Sequence, residues 1–120
     1  MSRPQKRRWI NSWPGADFFK PRGAPLSSLQ VVRLTVDEYE AMRLYDVDGF
    51  DQVESAARMK VSRPTFGRII AGAHRKVAEA LVMGKAIQIG GGSYRIPPDF
   101  DFGTAGRKRG AGRGWRGGRR

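Results

Sequence analysis

Between positions 61 and 68 the chain reads Val61-Ser62-Arg63-Pro64-Thr65-Phe66-Gly67-Arg68, and His74-Arg75-Lys76 follows after a short apolar stretch. An arginine can place two parallel hydrogen bonds on the edge of a guanine, and a threonine can meet a thymine methyl or a phosphate. A serine just ahead of a helix marks a helix start, whose free amides attract anionic oxygens. Ser62, Arg63, Thr65, Arg68, Arg75 and Lys76 are thus the candidate binding residues, and the chemistry is that of base edges and phosphates. Nucleophilic and metal chemistry fare worse. His74 is the only histidine and cysteine is absent, so thiol chemistry and disulfides are excluded, and zinc would need carboxylates alone beside one imidazole. A lone histidine on a basic helix reads as a phosphate or solvent contact. Asp37, Glu38 and Glu40 could suggest an acid pair, but their place at a helix start explains them as cap and dipole partners. Gly90-Gly91-Gly92 lacks the lysine and serine of a phosphate-binding loop and reads as a turn. No catalytic residue, metal site or cofactor is expected.

Holding those residues in place calls for a short helix, a tight turn and a second helix with an exposed start. The stretch from Asp51 to Leu81 supplies each part in order. Asp51-Gln52-Val53-Glu54 has a cap pattern and opens a short helix with Val53, Ala56 and Ala57 inward. Met59-Lys60-Val61 is the turn, with Val61 plugging it. Ser62 caps the next helix, and Pro64 falls in its first turn, where a missing amide hydrogen costs little. Phe66, Ile69, Ile70, Ala73, Val77, Ala80 and Leu81 recur at steps of three and four, which predicts one long apolar face. Arg63, Thr65, Gly67, Arg68, Ala71 and Gly72 lie off that face, with the small residues keeping the outer surface low. Gly84 is placed to end the helix. On periodicity alone, an ordinary three-helix packing unit with solvated arginines fits equally well.

Upstream, Val31, Val32 and Leu34 form an extended lead to Thr35-Val36-Asp37-Glu38, a capping box. A first helix follows to about Tyr45, burying some of Ala41, Met42, Leu44 and Tyr45, and Gly49 breaks it. Downstream, Lys85 to Ile89 and Ser93 to Ile96 flank the glycines as a small β-hairpin. Residues 1–30 combine frequent prolines with Trp9, Trp13, Phe18 and Phe19, which predicts an extended arm partly docked on the core. Beyond Gly103 the chain is mostly glycine and arginine, and should be disordered in isolation.

The net charge is +12 over 120 residues, and its distribution is informative. Residues 1–22 hold six basic residues against one acid, residues 107–120 hold seven against none, and residues 23–106 hold ten of each. All the surplus therefore sits at the two ends, suited to polyanions and, more blandly, to solubility. No apolar run approaches the ~20 residues of a membrane span, and the basic start has no apolar segment behind it to make a signal peptide. A cytoplasmic location is expected, and no membrane partner.

The run from Val61 to Phe66 resembles the turn and recognition-helix start in the fourth region of primary-type sigma factors. As a whole the chain is more similar still to uncharacterised protein family 0251 (domain of unknown function 134), described as predicted DNA-binding proteins of bacteria and archaea. The matching pieces include Arg3-Pro4, Phe19 to Gly23, Leu34 to Leu44, Asp46, Gly49, Ala56-Ala57, Met59, Val61 to Phe66, Lys76 to Ala78 and Leu81 to Ala86, so the likeness runs from residue 3 to about 96. Family members often carry cysteine in the arm, absent here, and His74 stands where arginine is usual. The arginine–glycine tail is not part of the family pattern.

The expected fold is mainly α. Residues 31–96 would form a three-helix, sigma region four-like helix-turn-helix domain with a small C-terminal β-hairpin, between a basic arm (1–30) and a disordered tail (97–120). The expected function is sequence-preferring DNA binding by a non-enzymatic transcriptional regulator. An RNA-binding or nucleoid-type protein working through its tail, and an RNA polymerase adaptor, are the other readings. Double-stranded DNA is the first partner, with RNA polymerase and a second copy of the chain as further candidates. The charge distribution yields a direct test. Truncation after Gly106 should weaken binding to selected and random duplexes by similar factors. In a salt series it should also lower the log–log slope by up to ~0.9 for each phosphate that the tail no longer neutralises. A truncation that erased the preference between duplexes would make the tail a reader.

Overall fold

The computed structural model describes residues 7–96 and residue 98; the remainder of the tail expected over 97–120 and the first six residues of the arm lie outside them. The described chain is a small, mainly α domain with three helices and short strands. Strands β1 (Arg8–Trp9) and β2 (Phe18–Phe19) come first, then a 3₁₀ turn at Leu26–Ser28 and strand β3 (Val31–Leu34). Helix α1 (Val36–Met42) passes into a π-helical turn at Arg43–Val47. It is followed by α2 (Gln52–Met59), α3 (Arg63–Met83), β4 (Ala86–Ile89) and β5 (Tyr94–Arg95).

Helix starts follow from side chains that replace missing backbone partners. Thr35 accepts from the Glu38 amide, and the Glu38 carboxylate accepts from the Thr35 amide at 2.9 Å, completing the capping box. Asp51 accepts from the Glu54 amide at 2.8 Å, and Ser62 accepts from the Thr65 amide at 3.2 Å. Gly84 closes α3 in the left-handed conformation, at φ 67°.

The core lies where the three helices meet. Ala41, Leu44, Ala56, Met59, Phe66, Ile69 and Ile70 are buried together, with Met42, Tyr45, Phe50 and Val61 packed around them. Helix α2 is rotated from expectation. Val53 and Ala57 are exposed, while Ser55 and Met59 are buried beside Ala56. Met59 supplies more apolar bulk than Val53, and Ser55 can go inside because its hydroxyl donates to the Phe50 carbonyl at 3.4 Å. On α3 the apolar face holds through Phe66, Ile69, Ile70, Ala73 and Ala80, with Val77 half-buried. Leu81, expected inside, is exposed like Val82 and Met83, because only the Ala80 side of the last turn is covered.

The expected hairpin does not form. Strand β4 lies between β2, antiparallel, and β3, parallel, whereas β5 pairs in parallel with β1. Both edges of β4 are thus taken by strands from earlier in the chain. The three glycines lead across the start of α1 instead: the Gly90 amide donates to Leu34 O and the Val36 amide to Gly91 O, each at 3.0 Å. At Gly92 (φ 96°) a Cβ would collide with Asp37 Oδ1 and stand 2.6 Å from Thr35 Cβ, so only glycine passes there.

The arm is docked by one buried carboxylate. Glu40 is 1% exposed, and it accepts from Ser12 Oγ at 2.6 Å and the Asn11 amide at 2.9 Å. Arg43 donates to it through Nε at 3.0 Å and a terminal nitrogen at 2.8 Å. Burial by itself would lower the Arg43 pKa; the hydrogen bond and charge of Glu40, with Asp48, override this and raise it. Next to this cluster Ile10 is fully buried. Glu40 is therefore not a mere dipole partner; Asp37 and Glu38 are the acids of the first turn of α1, with Glu38 completing the cap.

Two stability tests follow. Ile70→Ala, at a site 4% exposed, should destabilise by roughly 2–5 kcal/mol; an unchanged thermal midpoint would mean that α3 packs on another face. Glu40→Ala should cost about 1–3 kcal/mol, because it takes the acceptor from the Ser12 hydroxyl and the Asn11 amide and leaves the half-buried Arg43 with Asp48 alone. Amide exchange at Ile10 and Asn11 should accelerate more than exchange at Ile70. Equal acceleration at all three would show that the arm is not held by Glu40.

Candidate functional site

Helix α2 ends because Lys60 turns left-handed, at φ 56°. Its amide donates to Ala57 O, and the next amide, of Val61, to Ala56 O. Three residues thus carry the chain from the end of α2 to the start of α3, and Val61 packs on the core. Phe66, Ile69 and Ile70 face inward from α3, which leaves Arg63 and Arg68 exposed and Thr65 half-exposed on the first two turns.

Those turns carry a linked set of side chains. Ser62 Oγ accepts from the Thr65 amide and donates to Thr65 Oγ1 at 2.9 Å; Arg68 donates to the same Thr65 oxygen at 3.2 Å. The Ser62 hydroxyl is therefore used within the helix start, whereas the Thr65 hydroxyl keeps its proton to offer outward. Two expectations change. Gly72 faces a neighbour rather than an open surface: a Cβ there would stand 3.2 Å from Glu38 Oε2, so the glycine lets that carboxylate approach α3, whereas a Cβ on Gly67 would make only ordinary contact with Gln52 Oε1, at 3.7 Å. Lys76 is drawn off as well, donating to Glu38 Oε1 at 2.8 Å. Arg75 stays exposed on the next turns, away from the first.

The basic side chains divide by partner. Arg8, Arg43, Arg58, His74, Lys76 and Lys85 each lie within ion-pair distance of a carboxylate. His74 is exposed to solvent and has Nε2 2.7 Å from Asp46 Oδ2, and so ties α3 to the π-helical turn. Among the described residues, Arg7, Lys20, Arg22, Arg33, Lys60, Arg63, Arg68, Arg75 and Arg95 have no such carboxylate and are exposed; of these, Lys60, Arg63, Arg68 and Arg95 lie at or near the start of α3. Lys60 and Arg63 flank the turn before α3. A cleft of about 380 Å³ beside it is lined by Thr65 and Arg68 of α3, Arg8 of β1, Ser93 of the glycine crossing, and Asp37 and Glu38, whose carboxylates lie within ion-pair distance of Arg8 and Lys76. The arm and β5 thus stand next to the helix start. Sequence reasoning misses Lys60 and Arg95. Lys60 reads as a turn residue, and Arg95 reaches the site only through the parallel β1–β5 pairing, for which a two-residue strand gives no signal.

Among the described residues no group of three or more histidines, cysteines or carboxylates is placed to hold a metal ion. Among them also, no helix is long and apolar enough to cross a membrane.

Residues 1–97 match the family model described as protein of unknown function DUF134. A UPF0251 protein of Caldanaerobacter subterraneus subsp. tengcongensis is 56% identical over 96 residues, covering 80% of this chain and 81% of that one. A UPF0251 protein of Thermoanaerobacter pseudethanolicus is 53% identical over 108 residues, 90% of this chain and 92% of the relative. One from Pelotomaculum thermopropionicum is 50% identical over 96 residues, 80% and 73% of the two chains. No solved structure matches. With the model covering most of its length and relatives matched along most of theirs, the chain belongs to the DUF134 family of UPF0251 proteins.

Proposed function

We propose that this protein binds double-stranded DNA, seating the start of α3 in the major groove, and acts as a sequence-preferring transcriptional regulator. The observation that carries the reading is the state of the first two turns of α3. Arg63 and Arg68 are exposed and without carboxylate partners among the described residues, and Arg68 is steadied by Thr65. The opposite face of the same turns is anchored by Phe66 and Ile69. The short α2, the turn at Lys60 and the long α3 follow the order of a helix-turn-helix, whose second helix reads bases with residues near its N-terminus. The linked Ser62–Thr65–Arg68 set limits rotamer freedom before DNA arrives, so less ordering remains at binding. Arg63, Thr65 and Arg68 are the proposed base readers; Arg75 lies two turns on and is suited to a phosphate. Lys76 would have to leave Glu38 to take part. One helix covers few base pairs, so a second copy of the chain or a flanking contact is needed for a long site.

The reading is tested with a duplex selected from a random pool and with random duplex as reference. Arg68→Ala should cost about 1–3 kcal/mol on the selected duplex and much less on random DNA. Equal losses on both would reduce Arg68 to a phosphate contact, and a wild-type protein that binds neither duplex would remove the reading altogether.

A further inference from the structure

Trp9 of β1 is flanked by two cations from distant parts of the chain. Lys60 Nζ lies 5.5 Å from its ring centroid and Arg95 Cζ 5.4 Å. Arg95 is brought there by register, as the Cα partner of Trp9 across β1 and β5. Lys60 is brought by the turn between α2 and α3, in a left-handed conformation that glycine would adopt more easily. Each cation gains from the negative face of the indole, but two like charges around one ring repel, and neither has a carboxylate among the described residues. The exposed Arg7 precedes the same strand and adds to the positive charge at this end of the molecule.

We infer that Trp9, Lys60 and Arg95 form a phosphate-binding flank, which grips the DNA backbone beside the bases read by α3. This rests on the proposed DNA binding and adds to it a site outside the reading helix. Lys60 stands two residues before the Ser62 cap, and Arg8, next to Trp9, lines one cleft with Thr65 and Arg68, in which the carboxylates of Asp37 and Glu38 are paired with Arg8 and Lys76. The flank is therefore next to the reading residues and is built from three elements that only the folded arm brings together. A backbone oxygen there would relieve the repulsion between the two cations. The contact carries no base information, and it would set the position and tilt of α3 in the groove.

The test uses full-length protein with Lys60→Gln, Arg95→Gln and the double substitution, each checked for an unchanged thermal midpoint. Arg33→Gln, on β3 in the other sheet, removes the same charge as a control. Binding to selected and random duplexes is measured across a salt series. Lys60→Gln and Arg95→Gln should each weaken both duplexes by the same factor and lower the log–log salt slope by up to ~0.9, with the double variant lowering it by up to about twice that. Arg33→Gln should leave the slope nearly unchanged. If Lys60→Gln and Arg95→Gln behave like Arg33→Gln while Arg68→Ala still abolishes the preference, the flank is wrong and the reading helix stands. If Lys60→Gln or Arg95→Gln changes the preference between duplexes, the residue reads bases and the flank is again wrong. Failure of the wild-type protein to bind any duplex would overturn both.

Discussion

A carboxylate almost without exposed surface, Glu40, joins the N-terminal arm to the helices. An isolated buried carboxylate would be costly, and this one is retained because two nitrogens of Arg43, the Ser12 hydroxyl and the Asn11 amide all donate to it. The consequence reaches past the arm. With Asn11 and Ser12 fixed, Ile10 is buried and β1 is held where β5 can pair with it. The glycine crossing then has a defined end point, and Trp9 meets Lys60 at the turn before α3. Removing the carboxylate would loosen the arm, β5 and the surroundings of the turn together.

Electrostatics give the basic side chains two different roles. Five cations and His74 sit by carboxylates and act as structural ties: Lys76 to the capping glutamate, His74 to the π-helical turn, Lys85 to Glu79 near the end of α3. At the last of these, the hydrogen bond from Lys85 holds the Glu79 pKa below the usual carboxylate value. Of the exposed cations that have no ion pair among the described residues, Lys60, Arg63, Arg68 and Arg95 gather around the start of α3. Concentrating positive charge there costs self-repulsion, which a bound polyanion would relieve, and the proposed DNA binding rests on that arrangement. The long α3, 21 residues or about 30 Å, keeps this end well apart from the exposed Leu81–Met83 end.

Much of the fold is legible in the sequence wherever the determinant is local. Thr35, Asp51 and Ser62 announce their helices because a cap needs only a side-chain oxygen and an amide three residues on. The inward face of α3 is legible through Phe66, Ile69 and Ile70, since bulky residues at helical spacing admit one orientation. Helix α2 is not, because small residues occur on several of its sides, and the choice between Val53 and Met59 rests on what the neighbouring helices leave open. A β4–β5 hairpin is the natural local expectation, but strand pairing is decided by which edges are free, and β2 and β3 take both edges of β4. Glu40 gives no signal at all: in sequence, a buried glutamate in a helix looks like a solvated one. Of the candidate site, Arg63, Thr65 and Arg68 are accessible to sequence reasoning. Lys76 is not, because its partner Glu38 lies 38 positions away.

The most direct test is the map of backbone amide shifts when isotopically labelled full-length protein is titrated with a short selected duplex. If α3 enters the groove start-first with the arm beside it, the largest changes fall on Lys60 to Ala71 and on Trp9 and Arg95, while Leu81 to Met83 and β3 stay still. Changes confined to residues beyond 103, or centred on the far end of α3, would contradict that placement of DNA on the protein.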